Sequence, residues 1–237
     1  ATSHGFSNRV AIVVAILAAV VIEGVIVLMG LNTRRNLQAE AEKSAIAQLE
    51  MMSLETDAMM RQVANTVENF APMVRRELLK TKLDTVRLGA LLATLVENDA
   101  KVQGCNISLQ ENFVRKRKNY CLYALRDTAD AVAVKQLGNL MPGYHQAPWF
   151  TTPQQLQKGC WTSPYKAEVG PRGAVCSYAK PLYNNKGEFI GVLSADITVS
   201  HLTRALASNS PYDNSYNFML SPEAVFIAYP DSNYILS

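Results

Sequence analysis

Histidine is scarce in this chain. There are three in 237 residues, none spaced against another or against a cysteine as zinc ligands are. The four cysteines, Cys105, Cys121, Cys160 and Cys176, include no C-x-x-C pair, so the sequence offers no metal centre. Charge of one sign is also lacking. The net charge is only +3, and no basic stripe interleaved with aromatics is present, which argues against nucleic acid as a partner. The one dense basic run, Arg115-Lys116-Arg117-Lys118, lies between two strand-like segments and reads as a solvated hairpin tip. No nucleophile elbow, phosphate loop or Ser/His/Asp grouping occurs, and Asp196 and Glu188 do not make an acid/base pair, so no enzyme activity and no cofactor are expected.

What is present begins with an apolar run over residues 10–31, interrupted only by Glu23. As a helix, about 22 residues are enough to cross a ~30 Å hydrocarbon core. Its apolar core is longer than that of a cleaved signal and lacks a clear small-x-small site, so it reads as an uncleaved transmembrane anchor. Glu23 facing lipid costs a few kcal/mol, which favours its protonation or burial against a neighbouring helix. Residues 1–9 form a polar tail.

From 32 to 98 the pattern is helical. Ile46, Leu49, Met60, Val63, Val67 and Phe70 recur at spacings of three and four, Pro72 marks a kink or break, and a second run carries Leu79, Leu83, Val86, Leu88, Leu91, Leu92 and Leu95. This suits a long amphipathic dimerisation stalk; the alternative is a stripe that only packs on its own sheet, and the two are compatible if the lower part is dimeric and the upper part core. Residues 101–110 and 119–127 read as paired strands around the basic tip, and 128–148 as loop with a turn at Pro142-Gly143. The stretch 149–202 reads as three antiparallel strands, 161–166, 174–183 and 188–198, with turns at Gly170-Pro171-Arg172-Gly173 and Asn184-Asn185-Lys186-Gly187. Their partial alternation suggests a sheet with one covered face. A short helix, 199–207, follows, capped by Asp196 or Thr198, and then strands 216–220 and 224–228 joined through Ser221-Pro222-Glu223. The fold class is therefore α+β.

Trp149-Phe150, Trp161 with Pro164-Tyr165, Pro181-Leu182, Gly187, Gly191-Val192 and Asp196-Ile197 form an ordered set. That set resembles the extracytoplasmic double Cache domain of bacterial receptors, a PAS-like fold. Gly104-Cys105, Phe218-Met219-Leu220 and Tyr229-Pro230-Asp231 extend the similarity over roughly residues 33–237. Within that family the set resembles receptors linked to sporulation-type serine/threonine phosphatases or to histidine kinases. It implies a membrane-distal PAS-like subdomain over 99–207, the start of a truncated membrane-proximal one over 208–237, and a chain that is a piece of a longer receptor. It also implies a single-pass protein of the bacterial inner membrane with its sensor region outside. Arg34 and Arg35 against Arg9 argue mildly for the reverse orientation, and the even cysteine count argues with the resemblance. The expected disulfides are Cys105–Cys121 and Cys160–Cys176, among three possible connectivities and against the alternative of buried free thiols.

In the family the ligand sits in the membrane-distal sheet, between aromatic walls and a few polar anchors. The matching positions are Trp149, Phe150, Tyr165 and Asp196; the strand reading adds Tyr123, Trp161 and Tyr178. The plainer readings are packing for the two tryptophans, bracing of the Pro164 turn for Tyr165, and a helix cap for Asp196. Amino-acid-binding members carry an Arg two residues before the Trp and an Asp two after the Tyr. Here Ala147 and Ala167 stand there, which favours an amine or a neutral solute over an α-amino acid. The expected function is small-solute sensing by a membrane-bound homodimer; the alternative is a ligand-free dimerisation or protein-interaction module.

Overall fold

The computed structural model describes residues 3–127, 129–167, 169–171, 173–207, 216–221 and 224–231. Ala1-Thr2, Arg172 of the expected turn, Pro222-Glu223 of the expected connection, and residues 208–215 and 232–237 lie outside them. The chain divides into two compact units, Ala1–Met51 and Met52–Ser237. The first is helical throughout its described residues and contains the apolar run, long and apolar enough to cross a membrane.

In the second unit, helix α1 (Ser3–Leu78) supplies Val63, Val67, Ala71, Val74 and Leu78, all buried at helical spacing. Of the kink or break expected at Pro72, the break does not occur: the helix continues through to Leu78. Pro72 lies on the exposed face, where the carbonyl it leaves unpaired can meet water, while Ala71 and Val74 hold the buried face in place. The break comes after Leu78, and Asp84 then caps α2 (Thr85–Asn98) by accepting the Arg87 N–H at 3.0 Å. Leu88, Leu92, Leu95 and Val96 are the buried stripe of α2.

Seven strands make one antiparallel sheet: β1 (Gly104–Leu109), β2 (Tyr120–Arg126), β3 (Val132–Gln136), β4 (Cys160–Trp161), β5 (Tyr165–Lys166), β6 (Ala174–Tyr183) and β7 (Phe189–Thr198). The order is β3-β2-β1-β7-β6-β4, with β5 also on β6. Between β3 and β4 run a 3-10 turn (Tyr144–Gln146) and helix α3 (Pro148–Leu156). Helix α4 (Val199–Ala207) follows β7, and β8 (Met219–Leu220) pairs with β9 (Phe226–Ala228) in a second, two-stranded sheet. The strand expected over 161–166 is split, β3 lies where loop was expected, and α3 opens the stretch that was read as strands and turns. Pro148 at the first helical position of α3 forfeits only an N–H that would have no helical partner anyway.

The central strands are buried on both faces rather than one, which is why their alternation is only partial: every residue of β1 is buried. One face packs Cys105, Ile107, Leu122, Ala124, Leu193, Ala195 and Ile197 against α1 and α2. The other carries Cys121, Tyr123, Ala179 and Val192 under Tyr144, Trp149 and Phe150.

This two-faced sheet overturns the expected disulfides, and all four cysteines are free. Cys105 faces Ala124 and Cys121 faces Ser108. The two cysteines are therefore offset by an odd number of positions and point to opposite faces. Cys160 faces Ala179, three positions from Cys176, with the same result.

Candidate functional site

The face turned away from α1 and α2 is unusually polar for a buried surface. Asn106, Ser108, Ser177, Ser194 and Asp196 are all buried on neighbouring strands. Register explains the cluster: Asn106 lies opposite Ser194 and Tyr123, while Asp196 lies opposite Gly104 and Ser177. Asn106 Nδ2 donates to Ser194 Oγ at 2.7 Å, and Ser108 Oγ donates to Asn106 Oδ1 at 3.0 Å.

Asp196 is the centre of this floor, only 2% exposed. Tyr123 Oη donates to Oδ2 at 2.5 Å and Ser177 Oγ to Oδ1 at 2.5 Å. Because the Ser177 proton is committed to Asp196, Tyr165 Oη, 2.8 Å from Ser177 Oγ, is the donor in that pair. Burial pushes the Asp196 carboxyl up, and the two hydroxyl donors pull it down. Among the described residues no Lys or Arg is ion-paired with it. The cap role expected for Asp196 at α4 is not what its carboxylate does, since both oxygens are engaged within the sheet. Burial likewise pushes the Tyr123 and Tyr165 phenols up and holds them neutral.

A cavity of about 840 Å³ opens over Asp196, within the range of small-molecule sites. Asn106, Cys121, Tyr123 and Asp196 form its floor; one wall runs from Met141 to Trp149 with Thr152 of α3, the other from Trp161 to Ala167 with Val169. Ala147 and Ala167 both border it, so the positions matching the family's Arg and Asp face the space but carry methyl groups. Lys166 is the one basic side chain lining it among the described residues, and it is solvent-exposed.

The structure thus gathers Tyr123, Trp149, Trp161, Tyr165 and Asp196 around one cavity. Phe150 lies behind it, edge-on to Trp149 and Phe189. Tyr178 is on the opposite, helix-covered face, where its hydroxyl donates to Glu68 of α1 at 2.8 Å and its ring meets Trp161 edge-on. Lys180 pairs with the other oxygen of Glu68 at 2.8 Å. Sequence reasoning missed Asn106, Ser177 and Tyr144. Tyr144 caps the strand ends by donating to the Leu109 carbonyl and accepting from Tyr120 N–H at 3.3 Å. The only advance signal for Asn106 and Ser177 was small polar residues within apolar strands, and Tyr144, in the 3-10 turn, had none.

Residues 88–204, which include every cavity residue, match the family model of the methyl-accepting chemotaxis protein-like first PDC sensor domain. No curated protein sequence matches the chain. Among solved structures, the extracellular domain of the histidine kinase mmHK1S-Z3 aligns with TM-score 0.64 and 18% identity, covering 76% of this chain and 68% of that one. Methyl-accepting chemotaxis protein X aligns with TM-score 0.61 and 19% identity, over 78% of this chain and 75% of that one. The ligand-binding domain of the Pseudomonas aeruginosa amino acid chemoreceptor PctC, solved in complex with GABA, aligns with TM-score 0.51 and 16% identity, over 76% and 71%. At these identities the likeness is one of fold. The α+β architecture of the chain is PDC/Cache-like, and the cavity lies in the segment that matches a chemoreceptor-type sensor domain rather than a catalytic one.

Proposed function

We propose that this chain is the extracytoplasmic sensor region of a membrane-bound bacterial signalling receptor, and that it binds a small amine or neutral solute in the cavity over Asp196. The observation that carries this reading is a buried carboxylate with two hydroxyl donors and no ion-paired cation among the described residues, at the floor of an aromatic-walled cavity. An ammonium group supplies the missing charge partner, and a solute hydroxyl is the neutral equivalent. An α-amino acid held in the family's usual way is disfavoured, because an exposed Lys166 lacks the fork that a guanidinium offers a carboxylate. The ligand-bound chemoreceptor neighbour supports solute sensing as the task of the fold.

The apolar run crosses the inner membrane in this reading, and α1 forms a homodimeric stalk through its exposed Ile46 and Leu49. Solute binding shifts the population of stalk arrangements toward a cytoplasmic effector, a histidine kinase or a sporulation-type phosphatase. A thermal-shift panel of amines, polyols and amino acids tests the binding step. At a hundredfold excess over Kd a true ligand stabilises by about 2.7 kcal/mol. The expected stabilisers are amines or neutral solutes, with the effect lost in Asp196→Ala. Stabilisation by α-amino acids alone defeats this ligand class, and no stabiliser at all favours a ligand-free interaction module.

A further inference from the structure

Tyr123 reaches Asp196 only because two glycines make room for it. Gly104 stands directly across from Asp196 in the β1–β7 register, on the same face. A Cβ built on Gly104 collides with Tyr123 Oη and lies 2.7 Å from Cζ and 2.8 Å from Cε1 of the ring. From the loop side, a Cβ on Gly170 comes within 2.8 Å of the same hydroxyl, and Gly170 holds φ +129°, a conformation that favours glycine. The phenol therefore lies diagonally across β1, in a notch formed by both glycines.

The consequence for recognition is geometric. A carboxylate has about four lone-pair sites. Tyr123 takes one on Oδ2 and Ser177 one on Oδ1, which fixes the plane of the group and leaves one site on each oxygen. A primary ammonium can donate N–H bonds to such sites; a quaternary ammonium of the same charge has no proton to give.

We propose that Tyr123, seated in the notch of Gly104 and Gly170, is a positioning residue that aims the Asp196 carboxylate and makes the cavity selective for a primary over a quaternary ammonium. The inference rests on the solute-binding reading above and specifies its ligand class. Of the titratable groups near Asp196, Tyr123 and Cys121 on β2 and Tyr165 on β5 share its face, exposed Lys166 on β5 lines the same cavity, and Cys105 on β1 and Cys176 on β6 act through the sheet from its helix-covered side; for the phenols and thiols the directions agree. Burial pushes the two phenols and three thiols up, the Cys121 thiol to about 11 and the Cys176 thiol to about 12. These phenols and thiols stay neutral in mild acid, so Asp196 is the acid whose ionisation governs cation binding there. Removing the Tyr123 donor raises its proton affinity further and moves the acid limb of binding to higher pH.

The test uses the full 237-residue chain in detergent micelles, with n-butylammonium and N,N,N-trimethyl-n-butylammonium as probes followed by ligand-observed NMR from pH 4 to 8. The expected result is binding of the primary cation and about tenfold weaker binding of the quaternary one, the loss of a charged hydrogen bond. In Tyr123→Phe, which keeps the ring, the acid midpoint of butylammonium binding moves upward and the preference for the primary cation falls. Gly104→Ala reproduces both changes by displacing the hydroxyl, and the double variant is no worse than either single one. An unchanged midpoint in a folded Tyr123→Phe, or equal binding of the two cations to the wild type, overturns the inference while leaving the solute site standing. Binding of neither cation overturns the ammonium reading as well.

Discussion

Burial pushes the Asp196 carboxyl above the usual carboxylate range, and the hydroxyls of Ser177 and Tyr123 only partly offset it. Its folded-state pKa therefore exceeds the unfolded one. The folded chain holds this proton more tightly, which favours folding below the unfolded pKa, and that advantage is lost as pH rises through the folded value. Ionising Asp196 in the folded chain therefore costs stability, a cost that the proposed binding role would explain. Asp196→Asn is expected to raise the stability of the ligand-free chain by about 1 kcal/mol at pH 7 and to abolish amine binding. The gain should shrink on acidification, as the wild-type group takes up its proton. Calorimetry at pH 7 and pH 4 checks this, and a variant less stable than wild type at pH 7 refutes it. At this scale Asp196 could be singled out from its place near the end of an apolar strand. Ser177 and Gly104 could not, because their importance lies in being opposite Asp196 across two different ladders.

Among the secondary-structure elements, helix stripes were the most legible and cross-strand partners the least. The periodic leucines of α2 separate into a buried set and an exposed Val86, 82% accessible. Leu92→Ala is expected to cost about 3 kcal/mol through the cavity it leaves, and Val86→Ala less than about 0.5 kcal/mol; urea titration distinguishes them, and equal costs would contradict the packing. The cysteines show where local reading stops. Their placement on adjacent hairpin segments suggested bonds, yet a hairpin pair can bridge only when the register brings the two side chains to one face. Titration of the denatured, unreduced chain is expected to find all four thiols; two or none would restore a disulfide. Pro72 teaches the same lesson, since its effect depends on which face of α1 it occupies.

Across the whole molecule, β6 serves both faces of the sheet. Ser177 points to Asp196, and the next residue, Tyr178, points to Glu68 on α1. Alternation along a strand places adjacent residues on opposite sides, so one peptide joins the cavity floor to the helix. If solute occupancy is transmitted by this route, single cysteines at Ile46 and Leu49 should cross-link between copies in membranes with yields that change on adding a stabilising solute. A cysteine at buried Val63 should not cross-link in either state. Identical yields with and without solute would argue against transmission through the stalk.

Composition and periodicity alone settled that the chain begins with an apolar helix, continues as an amphipathic one and closes in antiparallel strands with aromatics at their ends. Those are properties of spacing along one segment, where hydrophobic burial acts on neighbours three or four residues apart in a helix and two apart in a strand. Only the tertiary structure decided which strands share a face, and hence that Asp196 meets two hydroxyls, that Tyr178 belongs to the helix side, and that the thiols stand apart. Register is a relation between distant segments, set by the packing of both sheet faces at once, and no single segment contains it.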